Sequence, residues 1–137
     1  MASFLQNINF WAVLLAAFTK VAIGSFWYSP LILGKSWMAE NDFTEADFMK
    51  GHPIWLMAVL SLTFAFIAAL AMAFFIAPQS TFFSGAGMGA LVSVVWISSS
   101  KANTTLYEHY SFRHYMIHAG YDIFTYTLMG GILGAWH

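Results

Sequence analysis

The sequence predicts an all-α fold: a transmembrane four-helix bundle with a short interfacial helix in its first connection. Three observations lead there. Charged residues make up only 8% of the 137 residues, and mean hydropathy is +0.68. A soluble domain carries roughly 25% charged residues and could not cover its surface with so few. The apolar residues fall in long runs, each near the roughly 20 residues that a spanning helix needs. Prolines and polar clusters then divide these runs, and the whole chain, 1–137, reads as one transmembrane domain.

The first span covers about Ile8–Tyr28. Asn7 or Asn9 can cap its start through a side-chain oxygen. Pro30 lacks a backbone donor and disfavours helix at Ser29, so the helix ends or kinks there. The N-terminus has no basic region before its apolar run, and that run is too long for a secretory signal. Residues 29–52 form the longest polar connection, with Trp37, Met38, Phe43, Phe48 and Met49 interleaved among charges. Thr44 followed by Glu45, Ala46 and Asp47 is a helix start, a hydroxyl cap ahead of first-turn acids, and predicts the interfacial helix.

The second span opens at Pro53, suited to a first turn, and covers about 54–77 without a charge. The few residues from Pro78 to Thr81 tie it to the third span, about 82–100, as an antiparallel hairpin. Residues 101–111 form a polar connection, and the fourth span covers about 112–136. Lys35, Lys50, Lys101 and Arg113 all fall in connections one and three, and the termini and connection two carry no Lys or Arg. The positive-inside rule therefore puts those two connections in the cytoplasm and both termini outside. Trp27, Tyr28 and Trp37 are the expected anchors at the inner interface.

Several polar residues stand out against this apolar background. Lys20 lies about 12 Å from the inner end of span one, and Asp122 about 15 Å into span four, at 1.5 Å per residue. Equal depth predicts an ion pair inside the bundle, against the alternatives of a snorkelling lysine and a protonated aspartate. His114, His118 and Asp122 follow at i, i+4, i+8 along one face of span four. Two such histidines can bind one metal, but the pattern lacks the glutamate of a zinc-protease motif. The expectation is that His118 bonds a neighbouring helix and His114 is solvated, with no metal or cofactor required, and a proton relay through the histidines and Asp122 is the alternative. Ser98 and Asn103 join Lys20, His118, Asp122 and Tyr126 as candidate binding residues. Asn103-Thr104-Thr105 also matches a glycosylation sequon, one that faces the cytoplasm in this topology. Gly85 and Gly89, and Gly130 and Gly134, form two small-xxx-small pairs at one depth. They predict contact between spans three and four, or a subunit contact.

Trp27-Tyr28-Ser29-Pro30, Leu33-Gly34-Lys35 and Trp37-Met38 resemble the hallmark of a bacterial family of small membrane proteins, domain of unknown function 1761. Asn103-x-x-Leu106-Tyr107-Glu108, His118-Ala119-Gly120-Tyr121 and Met129-Gly130-Gly131-Ile132-Leu133-Gly134 resemble its second half. The resemblance implies four membrane helices in a bacterial cytoplasmic membrane and supplies no activity, substrate, cofactor or catalytic residue.

Net charge is −1, with no basic stripe, so nucleic acid is not an expected partner, and the absence of cysteine removes thiolate chemistry. Three functions fit what is left. The first is a non-enzymatic homo-oligomer, in contact with membrane lipids, that binds or moves a small solute or ion. The second is an accessory subunit docking a partner through a patch around Trp37, Phe43 and Phe48. The third is a membrane enzyme acting on a lipid or quinone through His118 and Asp122. A polar cavity, a dry interior, or His118 opening on a lateral cleft would separate them.

Overall fold

The structure is a computed structural model that describes residues 2–42, 44, 46–47 and 50–136, with the side chains of Ala2 and Phe4 left aside. It is all-helical among these residues. A short α1 (Ala2–Leu5) precedes α2 (Phe10–Trp27), α3 (Gly34–Glu40) and α4 (Ile54–Phe75). They are followed by α5 (Phe82–Tyr107) and α6 (Phe112–Ala135). Of these, α2, α4 and α5 are long and apolar enough to cross a membrane. The 24 residues of α6 match them in length but carry more polar side chains. Large apolar groups face outward, with Phe83 84% and Phe64 64% exposed. An apolar exterior on this scale suits lipid and not water.

Local chemistry sets the helix ends. Asn9 Oδ1 accepts from the amides of Trp11 (3.0 Å) and Ala12 (3.2 Å) and caps α2. Thr81 and Ser84 bond reciprocally at the start of α5, a capping box that uses serine in place of glutamate. Ser111 Oγ accepts from His114 N at 3.1 Å and caps α6. Asp42 and His109, each just beyond a helix end, adopt the left-handed region at φ 55° and 58°.

Two differences from the sequence expectations bear on the site. The third helix does not stop near residue 100 but continues to Tyr107, because nothing from Ser98 to Glu108 is a glycine or proline. Its stretch Ser93–Ser98 is π-helical, and Ser98 O accepts from Tyr115 OH at 3.1 Å. In the first connection the helix α3 lies earlier than the predicted interfacial helix. The start of that predicted helix is present: Thr44 N and Oγ1 both donate to Asp47 Oδ2, at 2.9 and 3.0 Å. The remainder, with Phe43, Glu45, Phe48 and Met49, lies outside the described residues.

The core sits toward one end. Ala12, Val13, Ala16 and Ala17 of α2 meet Ala65, Ala69 and Met72 of α4 and Met129 and Leu133 of α6. Small side chains let these helices close up there. The closest approach is between α5 and α6. A Cβ on Gly85 would fall on the Gly130 carbonyl, one on Gly89 on the Tyr126 carbonyl, and one on Gly134 on the Thr81 carbonyl. Gly85, Gly89, Gly130 and Gly134 thus pack within the chain. At the other end α2 and α4 part, and a cleft opens between them.

Candidate functional site

Three charged side chains from three helices converge. Lys20 Nζ of α2 stands 3.6 Å from Asp122 Oδ1 of α6. Lys101 Nζ of α5 pairs with the other oxygen, Oδ2. Lys20 also donates to Thr125 Oγ1 at 3.5 Å and lies over the rings of Tyr121 and Tyr126, 4.2 and 5.0 Å from their centroids. Tyr121 OH donates to the Lys20 carbonyl at 2.9 Å, joining the two helices at this level. Side-chain exposure is 7% for Asp122, 15% for Lys20 and 42% for Lys101, so the aspartate is the enclosed member.

Lys20 and Asp122 therefore meet, as their equal depth suggests, but the pair is a triad. Lys101, assigned from sequence to a connection, belongs to the longer α5. The π turn alters the helical phase just before it, and Lys101 faces Asp122. The unbroken helical run to Glu108 is the signal that could have found it.

A second group runs along α6 toward its start. Tyr28 OH and His118 Nδ1 are hydrogen-bonded at 2.7 Å, which gives His118 a partner on α2. The His118 ring lies edge-on to His114, with centroids 4.6 Å apart. His114 stacks on Tyr110 at 4.1 Å, and its Nε2 is 3.2 Å from Asn41 Oδ1. His114 is 8% exposed, which corrects the expectation that it is solvated. The cause is α3, which folds over the start of α6: Arg113 donates to Ser36 Oγ at 3.1 Å, and Ser111 donates to Glu40. The histidine nitrogens aim at different partners, and among the described residues no three ligating side chains are grouped to hold a metal. Ser98 is buried with its hydroxyl unpartnered among the described residues, while Asn103 sits on the exposed side of α5, apart from this group.

The hallmark block lines the cleft beyond the end of α2. Trp27 Nε1 donates to the Ile117 carbonyl of α6 at 3.0 Å, so Trp27 ties two helices together as well as standing near a helix end. Gly34 N donates to Ser29 O at 2.7 Å, and a Cβ on Gly34 would strike the Tyr28 and Ser29 backbone. This tight return brings Trp37 edge-on to Tyr28, with centroids 5.1 Å apart.

The cleft has a volume of about 1080 Å³ and is walled by α2, α4, α6 and the connection after α2. Ile54, Met57 and Phe64 supply apolar wall, while Lys20, Tyr28, His118 and Tyr126 bring polar atoms to it. Asp122 and Lys101 lie behind that wall. A smaller cavity of about 160 Å³ at the opposite end, beside Asn9 and Trp136, holds none of these groups.

Fold and site together define a class: a small helical protein with an apolar exterior, a charged triad around an enclosed aspartate, and an adjoining cleft. A family model described as "Protein of unknown function (DUF1761)" matches residues 11–134, and the chain belongs to that family. No curated protein and no solved structure matches the chain.

Proposed function

We propose that this chain is an integral membrane protein whose cleft binds, and by releasing to one face moves, a small lipid-phase solute without chemistry on it. In this reading α6 completes a four-span bundle, its polar side turned inward. Both termini lie outside, and the exposed Lys35, Lys50 and Arg113 lie in the cytoplasm. The observation that carries the reading is the cleft. Its volume of about 1080 Å³ lies at the upper end of ligand pockets, and it combines apolar walls with a few convergent polar groups. The hallmark block supports it, since Tyr28, Ser29, Pro30, Trp37 and Met38 all line the cleft. An oligomer would form on other surfaces than the four packed glycines, which face each other within the chain.

The test is a plug. Ala58 lines the cleft from α4 and is exposed. Ala58→Trp narrows the cleft from α4 and leaves every triad residue unchanged. Native mass spectrometry of protein extracted from membranes should show a bound small molecule on the wild type and none on the plugged variant. Equal occupancy of both would refute the cleft as the binding site.

An enzymatic reading draws on one observation, the hydrogen-bonded Tyr28 and His118 on the cleft wall. Asp122, its proposed second group, is engaged by two lysines behind that wall. His118→Gln separates the readings: solute binding survives in a carrier, and turnover disappears in an enzyme.

A further inference from the structure

Charge and shape say which solute the cleft suits; this inference rests on the cleft reading above. Two lysines share one carboxylate, which leaves the triad one positive charge in excess. Lys101, 42% exposed, has access to its surroundings. Lys20 is enclosed, and it lines the cleft. An uncompensated charge at that depth is unfavourable, and a negative group brought against it removes the penalty. The cleft is where such a group can reach Lys20, and Ser61 of α4 and Tyr126 of α6, which also line it, carry hydroxyls that can serve as further donors.

The remaining wall restricts the rest of the solute. Ile54, Met57 and Phe64 offer no polar partner, so an inorganic anion would leave most of the cleft unused. A cation would meet the excess charge of the same sign. We propose that the cleft takes an amphiphilic monoanion, a single carboxylate on a lipid-soluble body, with the carboxylate at Lys20. Lys101 keeps Asp122 neutralised, so that Lys20 is free to serve the ligand. Lys101 is thus a positioning residue that acts from behind the wall.

The probes are myristate, myristyl alcohol and butyrate, titrated against the full chain in neutral-detergent micelles with occupancy read by native mass spectrometry. Myristate should bind at least about tenfold more tightly than the alcohol, the gain of one charge-assisted contact. Lys20→Met should erase that difference. Lys101→Met should weaken myristate severalfold, although Lys101 does not line the cleft, because Asp122 then draws on Lys20 alone. Both variants should keep the helical circular dichroism of the wild type, which shows that they are folded.

Equal affinity for acid and alcohol would overturn the inference and leave the cleft reading standing, as would an unchanged myristate affinity in Lys101→Met. Butyrate binding as tightly as myristate would remove the lipid-soluble body. Displacement of myristate by dipalmitoyl phosphatidylglycerol would make the occupant a bilayer lipid and overturn the proposal of a small acid. Failure of all the single-chain probes to bind, in wild type and Ala58→Trp alike, would instead sink the cleft reading.

Discussion

Replacing Asp122 by asparagine keeps the shape of the side chain and strands two lysines. At 3.6 Å, the attraction between Lys20 and Asp122 is about 4–5 kcal/mol at an effective dielectric constant of about 20. Relaxation recovers part of that, and removing one partner of a buried pair costs about 3–5 kcal/mol. Asp122→Asn should therefore destabilise by about 3 kcal/mol. The two lysines should not contribute equally, because Lys101 is 42% exposed and Lys20 15%. Lys101 can turn outward when its partner is lost, whereas Lys20 has only the mostly apolar cleft to turn to. Lys20→Met in the Asp122→Asn background should restore about 2 kcal/mol, and Lys101→Met less than about 1 kcal/mol. Alone, Lys20→Met should be neutral or stabilising, since Lys101 still satisfies Asp122. The assay is reversible SDS unfolding in mixed micelles, followed by circular dichroism, for the wild type and the four variants. Equal rescue by the two lysine variants would refute the argument from burial. A coupling between Lys20 and Asp122 below about 0.5 kcal/mol would show that the contact contributes nothing to stability.

The glycine contacts make a contrasting pair. Gly130→Ala puts a methyl group onto the Gly85 backbone and should cost about 1–3 kcal/mol, whereas Gly87→Ala meets nothing within 4 Å and should stabilise α5 by about 0.5–1 kcal/mol. The same SDS titration checks both, and equal losses would mean that the α5–α6 approach does not depend on small residues. A pH dependence is expected at the first connection, where two donors from Thr44 hold the Asp47 carboxyl below its ordinary value of 3.8. A lowered folded-state value makes this cap fully favourable above pH 3.8, and the benefit is lost as pH falls through the lowered value. The Thr44 amide shift in an NMR titration should have its midpoint below 3.8, and a midpoint at or above that value would contradict the capping geometry.

The long helices were legible because their signals are local. Pro30 and Pro53 bound the first connection, Asn9 caps α2 through its own side chain, and uninterrupted apolar runs set the starts of the spans. The apposition of the glycine pairs was legible as well, since equal depth on antiparallel neighbours leaves few alternatives. The end of α5 is not legible from polarity, which by itself does not stop a helix. Lys101-Ala-Asn-Thr-Thr-Leu-Tyr holds polar side chains but no residue that a helix rejects. The burial of His114 was missed because it depends on α3 folding across the start of α6, which no local pattern announces.

By itself, then, the sequence determined an apolar helical protein, the extents of three of its four long helices, and the shared level of Lys20 and Asp122 along the bundle. Depth follows from counting residues at a constant rise, and that needs no neighbour. Only the tertiary structure decided that Asp122 answers to two lysines, that Tyr28 meets His118, and that α2 and α4 separate into a cleft beside Lys20. Those outcomes depend on the azimuth of each helix about its axis and on the separation of helix axes. Close contacts between side chains set both, among them alanine against alanine at one end and Trp27 against the α6 backbone at the other. An apolar run specifies neither, because it looks alike from every side.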